Sequence, residues 1–297
     1  MSSAVNLRIV DFRSKSFDSI SANLAVPRAS LDISKATQQI IPLLEDVRLH
    51  GESAVVKVTQ ERDGVDPRPL KVAADEMAQA LRNLEPTLRK AIEESIERVF
   101  KVSRVNMPQD TSVKLADGAT VSQRWQPVES VGLYVPGGKA VYPSSVIMNV
   151  VPAQVAGVKR LALTSPAQKE FGGRPHPTVL ATAALLGVED VYCMGGPAAI
   201  AALAYGIPQI NLEPVSLVTG PGNIFVAAAK RALRGTIGID SEAGTTEILV
   251  LADASANARF IAYDLVSQAE HDEAAASVLV TDSVELANAV INELTDI

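Results

Sequence analysis

Apolar residues recur at helical spacing through the first hundred positions of the chain, then give way to short apolar runs of strand length. Between Ser34 and Leu49 the positions Ile33, Ala36, Ile40, Ile41, Leu44 and Val47 return every three or four residues. They fall on one face of a 3.6-residue helix, with Asp32 or Ser34 as its N-cap and "HGES" as its break. A second helix is predicted over Glu52 to Gln60, a third over "ADEMAQALRNL" and a fourth over "PTLRKAIEESIERVFKVSR", where Pro86 suits the first turn. In the fourth, Leu88, Ile92, Ile96, Val99 and Phe100 form the stripe expected to be buried while Arg, Lys and Glu face water. The N-terminal third therefore reads as mainly helical.

After Ser122 apolar runs alternate with alanine-rich helices. "VGLYVPGG", "VKRLALTSP", "VEDVYCMGG", "VSLVTGPGN", "TEILVLAD" and "ASVLVTD" are predicted strands. Between and after them, "SSVIMNVVPAQVAG", "PTVLATAALLG", "PAAIAALAYG", "IFVAAAKRALRG", "ANARFIAYDLVSQAE" and "VELANAVINEL" are predicted helices. Such alternation implies parallel strands joined by crossover helices. Most of the strands are apolar nearly throughout, as expected where helices cover both sheet faces.

Composition narrows the function classes. At 297 residues and 47% hydrophobic content, the chain can form one large or two ordinary domains, each with its own core. The net charge is −7, and the local basic cluster "AAKRALRG" reads as a solvated helix end, so nucleic-acid binding has no electrostatic support. The single cysteine, Cys193, lies in an apolar run and reads as a buried thiol. The N-terminus lacks the apolar core of a signal peptide, and no stretch approaches the roughly 20 apolar residues needed to cross a bilayer. The expectation is a cytoplasmic protein with no membrane or nucleic-acid partner.

Candidate chemistry gathers at the predicted strand ends. Three glycine-rich turns, "YVPGG" (134–138), "MGGPAA" (194–199) and "TGPGN" (219–223), follow predicted strands. Doubly wound sheets bind ligands at such carboxyl ends, and a helix N-terminus beyond the turn attracts an anion such as a pyrophosphate. Each turn alone also reads as an ordinary tight connection. A second candidate is "LVSQAEHDEAAAS", which holds one of only three histidines. Gln268 and His271 are three apart, so on a helix they neighbour each other and suit two ligands of one metal such as zinc. The alternative for this histidine is a favourable charge at a helix C-terminus.

Taken together, "VGLYVPGGKAVYPSSVIMNVVPAQVAGV", "TGPGNIFVAAAKRALRG" and "GIDSEAGTTEILVLADASANARFIAYDLVSQAEHDE" resemble the histidinol dehydrogenase family. "DVRLHGESAV" and "VSQRWQPVESVGLYVPGG" extend the match over nearly the whole chain. The resemblance implies an NAD-dependent, zinc-containing enzyme that oxidises L-histidinol through L-histidinal to L-histidine. It assigns Gln268 and His271 as zinc ligands that also touch the substrate, Thr246 as a substrate-contacting hydroxyl, and Tyr134 and Asn223 as NAD contacts. It implies a fold of two related Rossmann-like α/β units with a helical N-terminal part, of the aldehyde-dehydrogenase-like kind. The units would be 131–242 and, discontinuously, 28–130 plus 243–297, with 1–27 an extension. A homodimer is also implied.

Some positions depart from the family pattern. Ala198 stands where the family has a glutamine that contacts NAD, Thr245 where it has proline, and Ser216 where aspartate is common. By the resemblance, the Glu-His pair that performs acid-base work and the remaining zinc ligands fall beyond Ile297. His50 and His176 are not expected to replace them, since "RLHGE" reads as a helix terminus and "GGRPHPT" as an exposed loop. The chain thus reads as an N-terminal portion with no catalytic residue of its own, binding metal weakly and inactive alone. Aldehyde oxidation is expected to use activated water, because Cys193 is predicted inside a strand. Two other readings are a catalytically silent NAD-binding or interaction protein that keeps the fold, and a different NAD-dependent enzyme of aldehyde-dehydrogenase-like architecture. The latter would want a reactive cysteine in a turn.

Overall fold

The structure, a computed structural model, describes residues 8–13, 33–137, 141–242, 247–270 and 275–297. It contains two compact units, one of them Ile33–Ala243 and the other containing Gly244–Ile297.

In the first unit, α1 (Ile33–His50) buries Ala36, Ile40, Leu44 and Val47, the stripe that the spacing predicts. Ile41 departs from it and is 52% exposed, because it lies one position, about 100°, round the helix from Ile40. Gly51 separates α1 from α2 (Glu52–Asp63), and α3 (Ala74–Asn83) and α4 (Pro86–Val105) follow. The Glu85 carboxylate caps α4 by accepting the N–H groups of Thr87 and Leu88, and Pro86 occupies the first turn as expected. Ile92 is buried, with Ile96, Val99 and Phe100 packed partly beneath it. Leu88 instead lies 39% exposed, on the turn that precedes the core contact.

A hairpin that the apolar pattern did not announce comes next, β1 (Thr111–Ala116) and β2 (Ala119–Gln123), turning at Asp117 and Gly118. Every residue of both strands is exposed.

The sheet that organises this unit contains β3 (Ser130–Tyr134), β4 (Arg160–Ser165), β5 (Asp190–Cys193), β6 (Leu217–Thr219) and β7 (Gly238–Ile239), all parallel. Helices α5 (Pro143–Ala156), α6 (Pro177–Leu185), α7 (Gly196–Tyr205) and α8 (Ile224–Leu233) make the crossovers. The spatial order is β5-β4-β3-β6-β7. The chain therefore runs outward from β3 to β5, returns to lay β6 against the other side of β3, and continues outward to β7. On one face α1, α2, α7 and α8 share a core around Ile40, Leu44, Leu203 and Val226. On the other, α3 to α6 pack around Met77, Ile92, Val150 and Leu180. The helices of 33–105, within the segment 28–130 that the resemblance groups with 243–297, pack on the sheet of 131–242, and Ile33–Ala243 form one compact unit.

The second unit pairs β8 (Glu247–Leu251) in parallel with β9 (Ala276–Val280), with α9 (Ala258–Ala269) between them and α10 (Val284–Asp296) after them. Ile248 and Val250 pack against Ile261, Leu265, Leu286 and Val290. The alternate residues Leu249 and Leu251 are 58% and 77% exposed. Helix cover on both faces, expected from the apolar runs, is met by β3 and not by β8 among the described residues.

Candidate functional site

The three glycine-rich turns lie at the carboxyl ends of β3, β5 and β6. Because β6 returns beside β3, the strand order reverses at that pair, and the first and third turns become neighbours across it. Sequence distance gave no hint of this adjacency. Leu133 pairs with Thr219, and the Gly220 backbone then passes directly over the Tyr134 carbonyl. A Cβ on Gly220 would sit 2.0 Å from that oxygen, and Gly220 adopts a φ of 120°. Glycine is required here by the crossing of two backbones. Gly195 answers a similar need, since a Cβ there would lie 2.8 Å from the Pro166 ring. The close approach first accommodated at these two positions is therefore that of the chain to itself.

Tyr134 ties the second turn to the first. Its hydroxyl accepts the Gly196 N–H at 3.2 Å, at the start of α7. The side chain is buried, and that burial raises the phenol's pKa, so the group stays protonated and retains one hydrogen to donate. Asn223 caps α8 with Oδ1, which accepts the N–H groups of Phe225 at 3.1 Å and Val226 at 3.2 Å. With its oxygen so used, this exposed residue has its Nδ2 amide to offer a ligand. The turn is braced from its first residue as well, where the Thr219 hydroxyl donates to Asn149 Oδ1 at 2.7 Å.

Sequence reasoning missed Lys230 and Asp240. Lys230 belongs to the basic cluster expected to be solvated, yet it is 1% exposed, whereas Arg231 and Arg234 of the same cluster do reach solvent. Its Nζ donates to the Gly220 carbonyl at 2.5 Å and to Asp240 Oδ1 at 2.6 Å, while Asp240 Oδ2 accepts the Gly220 N–H at 2.9 Å. The available signal was spacing: Val226, Lys230 and Leu233 fall on one helix face, and the outer two are buried.

Gln268 stands half-buried in the last turn of α9, which ends at Ala269 with Glu270 as its C-cap. His271, Thr245 and Thr246 lie outside the described residues. Ala198 is 2% exposed within α7 and packs in the apolar core. Ser216 precedes β6, where its N–H donates to Ser130 Oγ at 3.0 Å; it marks the sheet edge opposite the three turns.

The other titratable candidates have local partners. His50 is exposed, with Nδ1 2.7 Å from Asp46 Oδ1. His176, expected in an exposed loop, is half-buried and caps α6, its Nδ1 accepting the Thr178 N–H at 3.1 Å. Burial lowers its pKa, which favours the neutral ring that this cap requires. Cys193 is buried, and desolvation pushes its thiol up to about 11 although Arg174 Nη1 lies 3.1 Å from Sγ. At neutral pH it is a thiol and a poor nucleophile. Among the described residues no group of three or more His, Cys, Asp or Glu could hold a metal ion, and no helix is long and apolar enough to cross a membrane.

Comparison with known proteins supplies a family. A family model described as histidinol dehydrogenase matches residues 26–297. The chain is 56% identical over 270 residues to histidinol dehydrogenase of Thermobifida fusca and 52% identical over 298 residues to that of Nocardia farcinica, alignments that cover 91% and 99% of this chain. It spans 61% and 67% of the length of these two relatives. A crystal structure of histidinol dehydrogenase from Elizabethkingia anophelis matches with a TM-score of 0.81 at 30% identity, over 87% of this chain and 59% of that one.

Proposed function

This chain belongs to the histidinol dehydrogenase family, and from that premise we propose that it supplies the NAD-binding framework and part of the substrate and zinc site for oxidation of L-histidinol through L-histidinal to L-histidine. The observation that carries this reading is the meeting of the β3 and β6 turns where the strand order reverses. Doubly wound sheets take dinucleotides at that point, because backbone N–H groups and a helix N-terminus converge there on a pyrophosphate. The residues present fit such a group: α8 begins at the turn, and Asn223 keeps an amide donor after capping it. Tyr134, holding the start of α7 by its hydroxyl, has its remaining hydrogen for the cofactor. NAD⁺, when bound, accepts the hydride, while the protein orients the reacting carbon and excludes water.

Thr246, Gln268 and His271 are assigned to the substrate, and Gln268 and His271 also to zinc. Amide oxygen and imidazole nitrogen are donors that a borderline cation accepts, and a zinc ion held there would polarise and orient the amino alcohol. Two such donors leave half of a tetrahedral shell unfilled, so the metal site requires further ligands. Because Cys193 is held as a thiol, the aldehyde step is assigned to an activated water. The protein is assigned to the cytoplasm and to a homodimer.

The test is NADH formation by residues 1–297 given L-histidinol, NAD⁺ and zinc. The expected result is no turnover by these residues alone, and turnover abolished by His271→Ala once the chain is extended by the corresponding downstream sequence of a relative. NADH produced by residues 1–297 would show that the acid-base groups lie within them and would overturn the assignment of none.

A further inference from the structure

Lys230 is the one charged residue among the described residues that is fully buried, at 1% exposure. An ammonium taken out of water is costly unless its donors are met, and a buried ion pair is often no more stable than an apolar pair of the same size. Packing alone therefore does not explain why this position in α8 carries a charge. The partners offer an explanation. Lys230 Nζ holds the Gly220 carbonyl at 2.5 Å, Asp240 Oδ2 holds the Gly220 N–H at 2.9 Å, and the two charges meet at 2.6 Å. Both polar groups of one glycine are thus gripped, one by each ion.

The grip falls where the backbone is least restrained by itself. Gly220, at a φ of 120°, lacks a side chain to limit its conformation and must follow a single path over the Tyr134 carbonyl. Three residues later the chain places Asn223 and the start of α8. The anchors come from separate elements: Lys230 projects from within α8, and Asp240 stands just beyond β7, where its own N–H donates to the Val218 carbonyl at 3.2 Å. Asp240 Oδ1 is fixed further by the Ser241 N–H at 2.7 Å.

We propose that Lys230 and Asp240 are positioning residues for dinucleotide binding, acting through Gly220 to hold the 219–223 turn and the Asn223 donor in their binding geometry. This rests on the reading of that turn as part of the NAD site. Neither side chain touches the cofactor; each fixes one side of the peptide that carries the turn.

The experiment is a calorimetric NAD⁺ titration of the 297-residue chain, with amide exchange of 218–223 followed in parallel. The double variant Lys230→Met/Asp240→Asn removes both charges together and keeps an acceptor for the Gly220 N–H, so no buried ion is stranded. Its NAD⁺ Kd is expected to rise about tenfold as the turn loosens, with faster exchange in 218–223. Ile92→Ala, on the opposite face of the sheet, is the control for a general loss of stability: its thermal midpoint should fall with the Kd unchanged. A folded double variant with wild-type affinity overturns the proposal. If the double variant does not fold, Asp240→Glu, which keeps both charges but moves the carboxylate by one methylene, decides it: a raised Kd supports the clamp and an unchanged Kd overturns it. Wild-type protein that fails to bind NAD⁺ overturns the site reading, and this assignment with it.

Discussion

Gly220 and His176 show how single residues in this fold answer to local chemistry. A Cβ on Gly220 would meet a backbone carbonyl at 2.0 Å, and a backbone atom in a paired strand cannot rotate aside as a side chain can. Gly220→Ala is therefore expected to lower stability by roughly 2 kcal/mol or more, seen as a reduced thermal midpoint. His176 caps α6 only while Nδ1 is unprotonated. Its folded pKa lies below the ordinary 6.5 because burial disfavours the charged ring. The folded state thus binds fewer protons than the unfolded state between those two values. The stability that comes with the neutral ring is present above the unfolded pKa and is lost as pH falls through 6.5 toward the folded value. Midpoints measured from pH 8 to 5 should show this loss, and His176→Asn, a cap that does not titrate in that range, should remove it.

Among the elements, α1 gives the clearest contrast between periodicity and packing. Leu44 is 5% exposed and Ile41 is 52% exposed, although both belong to the predicted apolar stripe. Leu44→Ala should cost about 2–4 kcal/mol through lost burial and a residual cavity, whereas Ile41→Ala should stay within about 0.5 kcal/mol. Denaturant melts of the two variants check the difference. The β1–β2 hairpin illustrates a signal that was present but weak. Asp117-Gly118 is a favoured hairpin turn, and Val113 pairs with Val121 across it. The strands nevertheless bury nothing among the described residues, so no continuous apolar run marked them.

For the whole molecule, the decisive arrangement is the return of β6 to the side of β3. It converts turns that are far apart in sequence into one edge, so cofactor binding should be felt at all of them together. NAD⁺ is expected to slow amide exchange in 134–137, 195–198 and 219–224 while leaving the 111–123 hairpin unchanged, as read by exchange mass spectrometry. Protection confined to one turn would contradict a shared site.

Secondary structure was legible in the sequence because it depends on neighbours a few residues away. The 3.6-residue stripe of α1, the apolar run of β3 and the Pro86 entry to α4 each declare themselves locally, and the strands and α-helices from Ser130 onward overhang their predicted runs by at most two residues, except β7 (Gly238–Ile239), for which no run was predicted. The family, too, was legible, because long motifs such as "TGPGNIFVAAAKRALRG" carry it without reference to shape. The sequence also assigned the candidate residues Tyr134, Asn223 and Gln268 to their elements. Strand order, and with it the adjacency of the first and third turns, came only from tertiary structure. So did the burial of Lys230, which reads as one of several surface cations until Asp240 and Gly220 are brought beside it. The physical reason is the same in each case: the free energy of these features resides in contacts between segments distant along the chain, and those contacts exist only once the sheet has closed around them.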